Sequence, residues 1–182
     1  MKSNNEEKTP LDRLADGYDR MLERVDSGMH EVEESSGRFR EMLGHAREKA
    51  VELEELSREE AEKISDYLAR DVHDAAHYLA ETGEELRQWF HFDVELIEAR
   101  LLEAFHSVAD KTRVELEQWS EQAREAARYQ TGEVTGPGTL VCTACGKVLQ
   151  FRKTGYIPPC PACSETLFLR PFGEGSEGAA AE

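Results

Sequence analysis

All four cysteines of this 182-residue chain fall in one stretch near its C-terminus, as Cys142-x-x-Cys145 and Cys160-x-x-Cys163 with fourteen residues between the pairs. No other feature restricts the fold as much. Two residues between thiols let one tight turn present two sulfurs to the same side of an ion, and two such turns complete a tetrahedral thiolate cage. Gly146 can take the left-handed backbone that aims N–H groups back at the first pair of sulfurs, and Pro161 fixes φ in the second turn. Ser164 stands where glycine often follows the last ligand, so that turn is expected to carry some strain. The expected cofactor is one structural Zn²⁺ per chain, held by Cys142, Cys145, Cys160 and Cys163. Four protein ligands leave no open position for hydrolysis, so no catalytic residues are assigned.

Three other uses of the cysteines compete with a zinc site. Disulfides suit secreted chains, and no signal peptide is read here, so a reducing, cytoplasmic setting and a metal are expected instead. Redox chemistry of the thioredoxin kind uses a single Cys-x-x-Cys at a strand-to-helix turn, whereas these two pairs sit among turn residues. An iron tetrathiolate is the most serious rival, because Cys145-Gly146 and Cys160-Pro161-x-Cys163 look like rubredoxin knuckles. Rubredoxins separate their pairs by a longer, aromatic-rich segment. Colour distinguishes the two ions.

Apolar alternation predicts strands over 139–142, 148–151 and 165–169, a small three-stranded zinc ribbon spanning 139–172. So short a segment cannot bury enough apolar surface to fold alone. Metal binding is expected to supply its folding free energy, on the order of 10 kcal/mol or more.

Thirty-eight acidic against 22 basic residues give a net charge of −16. Residues 1–136 carry that whole deficit, while 137–173 set Lys147, Arg152, Lys153 and Arg170 against Glu165 alone. The acidic part would repel nucleic acid and anionic membrane, which leaves only the ribbon as a possible polyanion contact. No apolar run approaches the ~20 residues of a membrane span.

From Pro10 to Pro137 there is no other proline, which permits long helices. Thr9-Pro10-Leu11-Asp12 is a helix start, and Leu11, Leu14, Tyr18, Met21, Val25, Val32, Phe39, Met42, Ala46, Leu53 and Leu56 follow a heptad seam. Gly28 and Ser35-Ser36-Gly37 interrupt it, and a kink is expected there. Ser57-x-x-Glu60 is a capping box, and Phe92-Asp93 with Ile97 reads as a third start with a hydrophobic staple. Helices are therefore expected at about 10–55, 57–90 and 93–129, roughly 50–70 Å long at 1.5 Å per residue, forming a coiled-coil or helical hairpin/bundle rod. Residues 1–8 and 173–182 read as disordered, and the Gly/Pro-rich 131–138 as a hinge.

Within the helices, His73-x-x-x-His77 has the spacing zincins use, but Asp74 replaces their glutamate and no third ligand is evident. Glu103-x-x-His106 has di-iron spacing without the second motif and further glutamates that chemistry needs. Both fit a solvated helix rim better than a site.

The entry Gly132-Glu-Val-Thr-Gly-Pro-Gly-Thr-Leu-Val-Cys142, the exit Ile157-Pro-Pro-Cys160-Pro-x-Cys163 and Ala109-Asp-Lys-Thr-Arg113 resemble a bacterial zinc-ribbon-containing family of unknown function, from about Leu11 to Phe172. The resemblance implies an N-terminal helical region before a zinc ribbon and makes the four cysteines the ligands. It transfers no activity. The reading is a mainly α, non-enzymatic zinc-binding protein that self-associates through its helices or docks on a protein partner, the ribbon's Lys147, Arg152, Lys153 and Tyr156 being the recognition end. RNA or ribosome binding at that end, and a thiol-based redox switch, are the alternatives.

Overall fold

The structure, a computed structural model, describes residues 9–30, 38–82, 85–90, 92–116 and 128–171. It is mainly helical, with a small β region that carries the cysteines. The long helices are α1 (Pro10–His30), α2 (Arg38–Glu52), α3 (Arg58–Thr82) and α5 (Ala99–Leu116), with a short α4 (Leu86–Trp89). Two predicted caps are realised. Thr9 Oγ1 accepts from the Asp12 N–H at 3.2 Å while Asp12 accepts from the Thr9 N–H, and Ser57 and Glu60 exchange the same pair of bonds at 3.2 and 2.8 Å.

Of the expected arrangements the helices take up a bundle, with members shorter than the roughly 50–70 Å expected. α1 and α2 run back along one another: Gly28 lies against Met42, Arg24 bonds Glu55, and Gly17 lies against Leu56. The favoured kink is thus a reversal of direction; the Ser35–Gly37 cluster itself lies outside the described residues. The longest helix among the described residues, α3, has 25 residues, about 38 Å. Heptad spacing specifies an apolar face and not its partner. Here the faces of α1, α2, α3 and α5 meet in one core with Tyr18, Met21, Phe39, Leu68, Val72, Trp89, Phe90 and Phe105, while Leu11 and Leu53 at the ends of the expected seam are about half exposed.

Asp93 caps a single 3₁₀ turn, Val94–Leu96, by accepting from the Glu95 N–H at 3.0 Å, and the helix proper begins only at Ala99. It does not reach 129, because Arg128–Gln130 is already a strand.

That strand enlarges the ribbon beyond three. β1 (Arg128–Gln130), β6 (Leu167–Leu169), β3 (Gly138–Cys142) and β4 (Val148–Phe151) form an antiparallel sheet in the order β1-β6-β3-β4, while β2 (Val134–Thr135) pairs with β5 (Gly155–Tyr156). Tyr129, Leu140, Ile157 and Phe168 form a second small core with Cys142 and Cys160. Nor is 131–138 a free hinge. Gly132 N–H donates to Ile157 O at 2.9 Å, and Gly136 N–H donates to Asp71 of α3 at 2.7 Å.

Candidate metal centre

Each cysteine pair sits on a turn closed by two backbone bonds. Cys142 N–H donates to Lys147 O at 2.9 Å and Gly146 N–H to Cys142 O at 3.0 Å; in the second turn Cys160 N–H donates to Glu165 O at 2.9 Å and Ser164 N–H to Cys160 O at 2.8 Å. The two turns are alike because each places its fifth residue in the left-handed region, Gly146 at φ 70° and Ser164 at φ 63°. Glycine adopts that conformation freely, and serine only against its own Cβ.

The turns bring all four sulfurs within 4.8 Å of one another, with Cys142–Cys163 and Cys145–Cys160 at 3.6 Å. Ligands about 2.3 Å from a tetrahedral Zn²⁺ stand roughly 3.8 Å apart, so the cage has the size the ion requires. Cys142 and Cys160 are buried and Cys145 and Cys163 exposed. The thiols differ in acidity. Burial resists ionisation of Cys160, but N–H donors of Ala162 and Cys163 and the neighbouring thiols bring it down to about 7. For Cys163, a backbone bond from Glu165 favours the thiolate, yet its three sulfur neighbours push it up to about 12. Four sulfurs at this separation cannot all carry charge without a cation among them, and a divalent ion is what this donor set accommodates.

What sequence reasoning missed is the joint between ribbon and helices. Asp71 is fully buried on α3 and accepts from Tyr18 Oη at 2.8 Å, Thr135 Oγ1 at 3.1 Å and the Gly136 N–H at 2.7 Å. Arg170, from the residue after β6, donates to Tyr129 Oη at 2.9 Å and Thr135 Oγ1 at 2.8 Å. It lies over the Trp89 ring at 4.5 Å and faces Asp71 and Asp74 at 3.6 and 3.8 Å. Arg70 stacks on Tyr129 at 3.8 Å and bonds Glu133 and Val134 O. Burial pushes the Tyr18 and Tyr129 hydroxyls well above their usual range, so both serve as donors, Tyr129 to Asp74. A second joint runs from Thr154 in the turn before β5 to Asp19 of α1.

The sequence-derived helical candidates form no site. Asp74 is engaged by Tyr129 and Arg170. His77 pairs with Glu81 at 3.3 Å, and burial, reinforced by His77, brings His73 down to about 4. Glu103 and His106 are exposed on α5. Among the described residues the four cysteines are the one group placed to hold a metal. Lys147, Arg152 and Lys153 are exposed, but Tyr156 belongs elsewhere: it pairs with Val134 and packs, half-buried, against the helical core. No helix among the described residues is long and apolar enough to cross a membrane.

A helical unit bearing a small antiparallel sheet, with two cysteine knuckles converging at its tip, is the architecture of a zinc-ribbon protein. The chain belongs to the family described as zinc-ribbon containing domain, matching it over residues 27–171. It is 29% identical to the uncharacterized protein YbeL of Escherichia coli K12 over 133 residues, covering 72% of this chain and 81% of that protein. The YbeL proteins of Escherichia coli O6:H1 and O157:H7 match at the same identity and coverage. No solved structure matches the chain.

Proposed function

We propose that this is a non-enzymatic, cytoplasmic protein in which one Zn²⁺, held by the thiolates of Cys142, Cys145, Cys160 and Cys163, folds a ribbon that the helical bundle presents to a protein partner. The convergence of four sulfurs within 4.8 Å carries the reading. The ion would fix the two knuckles relative to one another, and every other part of the presentation falls to the chain itself. Asp71, Arg70 and Arg170 hold the ribbon in one orientation on α3. The protein purified from rich medium should contain one zinc per chain and be colourless. Cys160→Ser should lose the metal together with the ordered ribbon signals in NMR. A metal-free or iron-loaded protein would refute the assignment.

A second reading has an observation of its own, the exposure of Cys145 and Cys163. Zinc thiolates open to solvent are oxidisable, and oxidation would release the ion and unfold the ribbon. Mild peroxide that leaves zinc content and assembly unchanged excludes this switch.

A further inference from the structure

α5 packs on the helical core with one stripe and turns the next toward a cleft. From Ala99, steps of three and one residues in alternation lead through Leu102 and Glu103 to Asp110 and Lys111, and this stripe forms one wall. Leu86 of α4 and its C-cap residue Phe90, both buried, form the other. The cleft has a volume of about 550 Å³, within the roughly 300–1,000 Å³ of small-molecule sites. None of these residues belongs to the ribbon, and the site is separate from the cysteine cage.

Along α5 the wall is apolar at Ala99 and Leu102, polar from Glu103 onward, and ends at Lys111, about 18 Å of helix beyond Ala99. Lys111 stands out in the Ala109-Asp-Lys-Thr-Arg113 segment, for which the zinc site has no use. Ala109 is buried in the core, Asp110 pairs with Arg113 at 3.2 Å, and Thr112 Oγ1 donates to Val108 O at 2.7 Å. Lys111 Nζ is also buried, yet it has no hydrogen-bond partner among the described residues. A buried ammonium without an acceptor is costly, and an anion seated in the cleft would remove that cost. Glu103 and Asp110 on the same stripe make the cleft a poor place for a dianion. A single carboxylate matches one amine, and the remaining wall of Leu86, Phe90 and Leu102 suits hydrocarbon.

We infer that the cleft between α4 and α5 binds a medium-chain aliphatic monocarboxylate, with its head on Lys111 Nζ and its chain along Phe90 and Leu102. The full-length zinc-loaded protein is titrated calorimetrically with sub-micellar sodium decanoate, and with decanol, decyltrimethylammonium and inorganic phosphate as comparisons. Decanoate should bind and raise the urea midpoint, decanol should bind at least about tenfold more weakly, and the other two should not bind. Lys111→Met keeps an apolar stem and removes the charge. It should weaken decanoate about tenfold or more and abolish the preference over decanol. Without ligand its urea midpoint should not fall below that of the wild type, because an amine with no acceptor in the chain has no bond to lose. Leu102→Ser should weaken decanoate and decanol alike, by about tenfold, with zinc content and circular dichroism unchanged. Decanoate affinity insensitive to Lys111→Met, or a preference for any of the comparison compounds, overturns the assignment. A ligand-free Lys111→Met protein less stable than the wild type also overturns it, since the amine would then have an acceptor within the chain. Absence of binding by protein that keeps its zinc and its spectrum overturns this inference alone and leaves the reading of the zinc ribbon standing.

Discussion

Replacing Asp71 with alanine tests whether the ribbon is held to the helices by one carboxylate. The side chain is fully buried, and one of its oxygens accepts from Tyr18, Thr135 and Gly136 at 2.7–3.1 Å. Hydrogen bonds to a charged acceptor contribute about 1.5–3 kcal/mol each, and breaking a buried charge network by removing one member costs about 3–5 kcal/mol. Here the lower half of that range applies, because Arg70 keeps Glu133 and Arg170 keeps Asp74 and Tyr129. A loss of about 3–4 kcal/mol is expected against a total stability on the order of 5–15 kcal/mol. Urea unfolding at neutral pH with saturating zinc, followed by circular dichroism, measures it. Tyr18→Phe alone should cost about 1–2 kcal/mol and nearly nothing more in the Asp71→Ala background, since the two groups share a bond. A loss below about 1 kcal/mol for Asp71→Ala, or additive effects of the two substitutions, would refute the argument that this carboxylate organises the joint.

Burial pushes Asp19 up to about 6 from 3.8, so the folded protein holds a proton between those values that the unfolded chain has released. Stability therefore falls as pH rises through that window, and the cost, about 2–3 kcal/mol, is complete above it. Asp19→Asn, which still accepts from Thr154, should be more stable than the wild type at pH 7 and no more stable at pH 3 by urea unfolding. Ser164 sits at φ 63°, and Ser164→Gly should raise the unfolding free energy measured in urea by about 0.5–1 kcal/mol with unchanged zinc content. A Cβ on Gly138 would stand 1.7 Å from Arg170 Nη1. Gly138→Ala should therefore cost about 3 kcal/mol or more and broaden the Trp89 resonances that report on the Arg170 stack.

The features legible in the sequence were those whose physics is local. A cysteine turn needs two intervening residues and a left-handed fifth position; the first knuckle announces both within five residues through Gly146, and the second announces its spacing while Ser164 hides the backbone conformation. Ser57 and Glu60 cap α3 for the same reason. β1 reads as the tail of a helix because three residues, Arg128-Tyr129-Gln130, are too few for their alternation to stand out from a helical pattern; Phe168, far along the chain, makes Tyr129 a core residue. The Asp71 joint was invisible for a related reason. Beside the stripe Leu68, Val72 and Ala75, an Arg-Asp pair looks like a solvated helix rim. Its hydrogen-bond partners on other elements lie 53 to 65 residues away, so only the fold reveals that it is buried. Tyr156 was misassigned because a half-buried aromatic and an exposed one have the same letter.

That separation has a consequence for biogenesis. Asp71 and Tyr18 leave the ribosome long before Thr135 and Gly136, and Arg170 later still. A nascent chain that ends ahead of β2 holds a carboxylate inside an apolar bundle with most of its donors not yet made. The bundle of a growing chain must stay loose around that carboxylate until the ribbon emerges to close it.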